Sequence, residues 1–525
     1  MFTYGFSKRW LRSKVASAHT RIVLNRFTAA FFTFSLIYCF AQGIVQSLLY
    51  TIDFEYNALV SGVVSAAAFS PNTTTYLEGS SGHLVLRMCD DIPHGQKVDP
   101  CIVVFNGTAN QPPSSSQVRA FQNWQNAVVD IDPQLDPATA HVDNIIIRMP
   151  GTEDINLNEQ CLQTLMYPSQ ILQNMKREDI SWICLQFYLL VISLFAILNG
   201  SVPHILAVLM TRAISAAWAI YAVYRDPLYR GNLQQLLADP GTPCSLDIFS
   251  QYWSRRQPFE ITDLVLSCTA LIFFSYLSFT LLKIFSEQSF KCVGAPEHVM
   301  RIHKFFMAIL ACLQLEAFVL VTSGGLWIDI LINTAILQIS AHTKLYQALF
   351  ISTTVILIPW ISLGWYSIRR EMKIMMVIFL AIGFIIITGW AMMFYSIVYR
   401  WSFLQWPYLG CFTVASFILL ISSMILGVVC RVNFGKGLAQ YLHAEETLSS
   451  LNFSPAAFTT KTDSMRFSRD SKHPEDFDED SRSDILNSSN TPMYFVQNLS
   501  QAENGEVIPR PSTRAEPERS FFDTF

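Results

Sequence analysis

The chain has 525 residues, of which 51% are hydrophobic and only 14% charged, with a formal net charge of −4. Soluble domains carry about 25% charged residues. Here the charges are also gathered between long uncharged runs, which excludes an ordinary soluble domain, and nothing in the composition points to a nucleic-acid partner.

The first acidic residue is Asp53, and Lys8, Arg9, Arg12, Lys14, Arg21 and Arg26 all precede it. This basic head, 1–26, leads into an uncharged run at 27–50. A cleaved signal peptide has a short apolar core and a small-residue cleavage site. The run is too long for that and ends in Leu48, Leu49 and Tyr50, so it predicts an uncleaved signal anchor with its basic head in the cytosol. A mitochondrial presequence is the rival, being also Arg-rich and free of acid. The anchor is preferred because multi-span proteins usually enter by the secretory route.

Residues 51–180 are expected to form a small lumenal or extracellular domain, long enough to bury a modest core. Short β-rich runs at 83–88, 101–105 and 143–149 alternate with Pro, Gly and Asn, and 158–175 reads as helical. An α+β or β-rich domain follows from that pattern. Glycosylation sequons stand at Asn72 and Asn106 and fit such a face, although three-residue motifs also arise by chance. Cys89, Cys101, Cys161, Cys184 and Cys244 fall on or near this side, where an oxidising compartment permits disulfides. Cys89 with Cys101 is the preferred local pair, and buried free thiols are the alternative. The group Asp130, Asp132, Asp136 and Asp143 lacks the Gly and terminal Glu of a calcium loop and reads as a solvated turn.

Seven further runs are long enough to cross a bilayer, at 181–198, 204–224, 261–285, 305–326, 346–367, 374–397 and 407–430. With the anchor they predict an all-α polytopic membrane helix bundle of about eight spans, with a seven-helix bundle over 181–430. A shorter patch at 327–337 carries Asp329 and is expected to be interfacial or re-entrant. With the amino terminus in the cytosol, fifteen Lys and Arg fall inside against six outside, which places both ends in the cytosol. Tyr50, Trp182, Trp365, Trp401 and Trp406 sit where a boundary belt is expected.

Charges within spans are expensive and tend to face a bundle interior. Arg212 lies eight residues into its run and Glu316 eleven into its own. At 1.5 Å per residue, both sit roughly 12–16 Å from the cytosolic edge, so they are expected to meet as an intramembrane polar pair. Such a pair is structural, or a latch, or part of a transport path; an Arg that snorkels alone is the further alternative. Gln42 and Gln46 share a helix face and are read as packing. Pro359 is expected to kink its span, and Gly383 and Gly389 to permit close helix approach.

Cys430, beside Arg431 at the cytosolic edge, is a candidate for reversible palmitoylation. Residues 431–449 read as a juxtamembrane amphipathic segment. The tail 450–525 is rich in Ser, Asp, Glu and Pro and is expected to be disordered, with Ser468, Ser483 and Thr491 open to phosphorylation. No catalytic residue, metal site or cofactor is predicted, because nucleophile signatures, His pairs at helical spacing and phosphate-binding Gly loops are lacking.

The stretch 181–443 resembles a group of multi-spanning membrane proteins encoded in basidiomycete fungi. The resembling pieces are Leu326-Trp-Ile-Asp329, Ile368-Arg-Arg-Glu-Met372, Tyr399-Arg-Trp401 and Cys430-Arg-Val-Asn-Phe-Gly-Lys-Gly-Leu438, followed by Tyr441 and Leu442. The resemblance implies a fungal membrane protein and carries over no activity. From topology alone the leading expectation is a receptor-like sensor of the plasma membrane or an endomembrane, coupling an outer ligand to the tail and a cytosolic partner. The alternative is a transporter or channel using Arg212 and Glu316.

Overall fold

The computed structural model describes residues 19–23, 25–70, 73–79, 82–92, 100–107, 119–120, 129–135, 142–149, 154–291, 297–336 and 343–436. The chain divides into two units, Met1–Pro455 and Ala456–Phe525, and the second lies outside the described residues. So do Asn72, residues 437–449 and the whole of the expected tail.

Helix α1 runs unbroken over Arg26–Ala66. Asn25 caps it, its side chain accepting from the Phe27 amide at 3.1 Å. At 1.5 Å per residue a helix of this length spans about 60 Å, twice the hydrocarbon thickness of a bilayer. It therefore continues far past the uncharged run, and the boundary expected at residue 51 is no break. Three strands follow, β1 (Thr74–Glu78), β2 (Val85–Cys89) and β3 (Cys101–Asn106), forming an antiparallel sheet in that order. Cys89 and Cys101 face each other in the β2/β3 register and are joined by a disulfide. The two-residue strand β4 (Arg119–Ala120) comes next. A second antiparallel sheet consists of β5 (Asp130–Leu135), β6 (Val142–Arg148) and β7 (Ile155–Asn158).

Helix α2 (Glu159–Leu198) starts where the Asn158 side chain accepts from the Cys161 amide. It passes residue 180 without interruption, so the expected domain boundary there is also no break. Helix α3 (Val202–Leu233) leads through a π-helical turn at Gln234–Ala238 to β8 (Leu246–Asp247), which pairs in parallel with β4. Five more helices complete the chain: α4 (Ser250–Lys291), α5 (Glu297–Asn333), α6 (Thr343–Arg369), α7 (Lys373–Tyr395) and the short α8 (Ile397–Gln405). The last is α9 (Pro407–Asn433). Among the described residues, all helices but α8 are long and apolar enough to cross a membrane, eight in total.

The core of the sheet-bearing end draws on more chain than 51–180. Tyr56 of α1, Leu86 and Ile145 of the sheets and Leu162 of α2 pack with Leu236, Leu246 and Tyr252. A second disulfide, Cys161 to Cys244, ties the start of α2 to the segment between α3 and α4. The expected domain is thus completed by residues after α3.

The patch at 327–337 is no separate element, because Trp327 to Asn333 form the last turns of α5. Trp327 is fully buried, stacks on Tyr399 at 3.9 Å and donates to the Thr413 hydroxyl at 3.0 Å. A side chain so enclosed cannot lie at an interface.

Candidate functional site

Where the four leading helices emerge from their apolar runs, they carry charge into the interior. Asp53 follows the run of α1, Glu178 and Asp179 precede that of α2, Arg225 and Asp226 follow that of α3, and Arg256 and Glu260 precede that of α4. All seven are between 0% and 8% exposed. A buried charge is costly unless paired, and pairing is extensive here. Both Glu178 oxygens accept from Arg225 at 3.1 Å, and one also accepts from the Trp406 indole at 2.8 Å. Arg225 reaches Asp226 through Nε at 3.4 Å, and Arg256 donates to the other Asp226 oxygen at 3.2 Å. Arg256 also pairs with Asp53, whose Oδ1 accepts from the Tyr252 hydroxyl at 2.9 Å as well. The result is a chain of alternating sign, Glu178, Arg225, Asp226, Arg256, Asp53, crossing all four helices.

Two acids remain outside that alternation. The carboxyl of Asp179 lies within hydrogen-bonding reach of Asp53, and that of Glu260 within reach of Asp226. Asp179 Oδ2, Glu260 Oε1 and Asp53 Oδ2 are buried without a hydrogen-bond donor among the described residues, and Glu260 Oε1 lies 4.0 Å from Arg256 Nε. Arg177, next to Glu178, turns away to pair with Asp329 at the end of α5.

From this junction a polar seam descends between α1 and α4. Gln46 and Gln42 both donate to Asp263, at 2.7 and 3.0 Å, and Gln42 also donates to Ser267 at 2.9 Å. One step further, the Tyr38 and Thr269 hydroxyls are 2.7 Å apart. The pairings run antiparallel, with α1 numbers falling as α4 numbers rise. Helical spacing explains the stripe, since positions 53, 46, 42 and 38 recur near whole turns of one face.

Arg212 lies at the foot of this seam. It donates to the Gln186 amide oxygen at 3.1 Å, and its guanidinium lies 5.0 Å from the Phe274 ring and 5.9 Å from that of Tyr38. Glu316 is fully buried elsewhere, and neither of its oxygens has a donor among the described residues. Ser423 is beside it but gives its hydroxyl to the Leu420 carbonyl. Arg212 and Glu316 form no ion pair among the described residues, which corrects the expected intramembrane pair. Equal depth did not bring them together, because depth along a helix leaves the direction around its axis open.

Cys430 is 1% exposed in a core shared with Met376, Leu420 and Phe434. That corrects its reading as a boundary thiol open to palmitoylation, since acylation needs an accessible sulfur. Asn106 is exposed at the end of β3. Of the other cysteines named as disulfide candidates, Cys184 is free and exposed. Among the described residues no group of His, Cys, Asp and Glu could hold a metal ion.

The sequence gives little sign of this junction, because a charge just beyond an apolar run reads as an ordinary loop charge. One signal was present: four consecutive runs carry Asp, Glu or Arg at their ends on the same side. The chain matches no family model, no curated protein and no solved structure.

Proposed function

We propose that the chain is an integral membrane protein that crosses its bilayer eight times and works as a receptor-like sensor. In this reading the sheet-bearing end lies outside the cytosol, in the plasma membrane or an endomembrane, and a cytosolic partner of the tail receives the output. The outward faces of the long helices support insertion: Phe40, Phe187, Ile220, Phe279, Ile358, Phe384 and Ile425 are exposed large hydrophobics of the kind lipid would cover.

The observation that carries the sensor reading is the continuity of α1 and α2 from the apolar bundle into the core of the sheet-bearing end, with the ionic junction locking α1 to α4 at the crossing point. A stiff helix transmits displacement that a flexible linker would absorb. The test uses hydrogen exchange on the full chain in nanodiscs, comparing the parent with Cys244→Ser, which releases the tie between α2 and the α3/α4 segment. Faster exchange is expected both near Cys161 and at the far turn 199–201 between α2 and α3. A change confined to the sheet-bearing end would count against coupling.

A second reading, proton or ion transport, is favoured by the seam from Asp53 to Arg212. It runs between α1 and α4 and does not use Glu316. Liposome flux that disappears in Asp263→Asn would support it, and flux equal to the parent's would remove it.

A further inference from the structure

Five buried carboxyls meet two guanidiniums at the junction: Asp53, Glu178, Asp179, Asp226 and Glu260 against Arg225 and Arg256. Fully ionised, this interior cluster would hold a net charge of −3. Glu260 shares Arg256 with Asp226, at 4.0 and 3.2 Å from its Nε, and Asp179 lies beside Asp53, which Arg256 also holds. A hydrogen bond between two carboxyls exists only when one of them carries a proton. Like charges at such range cannot both persist in a site closed to water. Asp179 Oδ2 and Asp53 Oδ2 are both buried without a donor, which marks the place where that proton is missing from the fixed hydrogen-bond network.

We propose that the junction is a proton-binding site, holding one proton in each of the two carboxyl pairs, and that the proton on the outer side is the ligand of the sensor described above. The second half rests on that receptor reading. Arginine distance assigns the protons: Arg256 pairs with Asp53 and its Nε lies 3.2 Å from Asp226 against 4.0 Å from Glu260, so the protons fall to Asp179 and Glu260.

The groups facing the pairs come from every helix around them. Asp53 comes from α1, Glu178 and Asp179 from α2, and Tyr221, Arg225, Asp226 and Tyr229 from α3. Tyr252, Arg256 and Glu260 come from α4, and Tyr408 from α9. Arg177 is held by Asp329, and Glu55 by Arg255 at the surface. With both protons bound the junction carries −1, and their loss restores −3. The folded chain then holds protons that the unfolded chain, with ordinary carboxylates, has already released. Stability at the junction is therefore greatest on the acid side and falls as pH rises.

The experiment is infrared difference spectroscopy of the full chain in nanodiscs, from about pH 5 to about pH 11, with Asp179→Asn and Glu260→Gln. A protonated-carboxyl C=O band is expected in the parent. Asp179→Asn and Glu260→Gln should each remove part of it. Spectra of Asp179→Asn and Glu260→Gln identical to the parent's would overturn the site. Hydrogen exchange at 199–201 reads the second half. Protection, taken relative to the intrinsic base-catalysed rate at each pH, that falls as pH rises supports the proton as ligand. Protection that ignores pH but responds to Cys244→Ser overturns the proton as ligand and leaves the receptor reading standing. No response to either overturns the receptor reading itself, while the band still decides the site.

Discussion

Asp53 and Asp179 are the same residue type, both buried and touching each other, yet their substitution by Asn has opposite consequences. Asp53 anchors Arg256 and Tyr252. Asp53→Asn takes one carboxylate from Arg256 and leaves it Asp226, a loss that should cost about 1.5–3 kcal/mol. Asp179→Asn keeps the shape and the hydrogen-bonding capacity of a protonated acid and should stay within about 1 kcal/mol of the parent. Thermal unfolding of the two variants in detergent separates them, and equal losses would show that Asp179 is ionised. Sequence alone placed these acids near the ends of apolar runs but gave no sign of their burial. Burial depends on which helices meet, and that information is not local. For Trp327 the sequence misled, because Asp329 close by suggested an interface. Its ring is enclosed by Tyr399 and Phe350, so Trp327→Ala should cost about 3–5 kcal/mol.

Apolar run length located all eight long helices, because membrane crossing sets a minimum length that few other features reach. It did not locate their ends. Hydropathy stops at the first charge, whereas α1 and α2 continue because partner helices satisfy those charges. Glycine shows a similar division. Gly383 and Gly389 were both expected to bring helices close. A Cβ at Gly383 would meet the Met424 sulfur at 2.4 Å, while one at Gly389 makes an ordinary 3.8 Å contact. The tightest aromatic contact lies elsewhere, at Gly364, where a Cβ would fall 2.5 Å from the Phe379 ring. That ring is stacked on Trp360 at 4.7 Å and has little room to retreat. Gly364→Ala should therefore destabilise the α6/α7 packing by about 1–3 kcal/mol. Gly383→Ala should cost less, since a methionine side chain adapts. Thermal melts of the two variants check the order, and a reversal would show that Phe379 can move.

The molecule as a whole is tied together at its sheet-bearing end. The Cys161–Cys244 disulfide closes a loop across 83 positions that includes α2 and α3. Its removal in Cys244→Ser is expected to cost about 2–5 kcal/mol, seen as a lower unfolding temperature under non-reducing conditions. An unchanged temperature would show that the sheet-bearing core holds α2 without it. A receptor-like arrangement requires this end and the far loop at Arg369–Met372 to lie on opposite sides of a membrane. Impermeant maleimide labelling of single cysteines in sealed microsomes, whose cytosolic face is outward, tests that assumption. Arg370→Cys, in the far loop, should label at once, and Arg230→Cys, near the sheet-bearing end of α3, only after detergent is added. Labelling of both positions before detergent, or of Arg230→Cys alone, would contradict the proposed membrane arrangement.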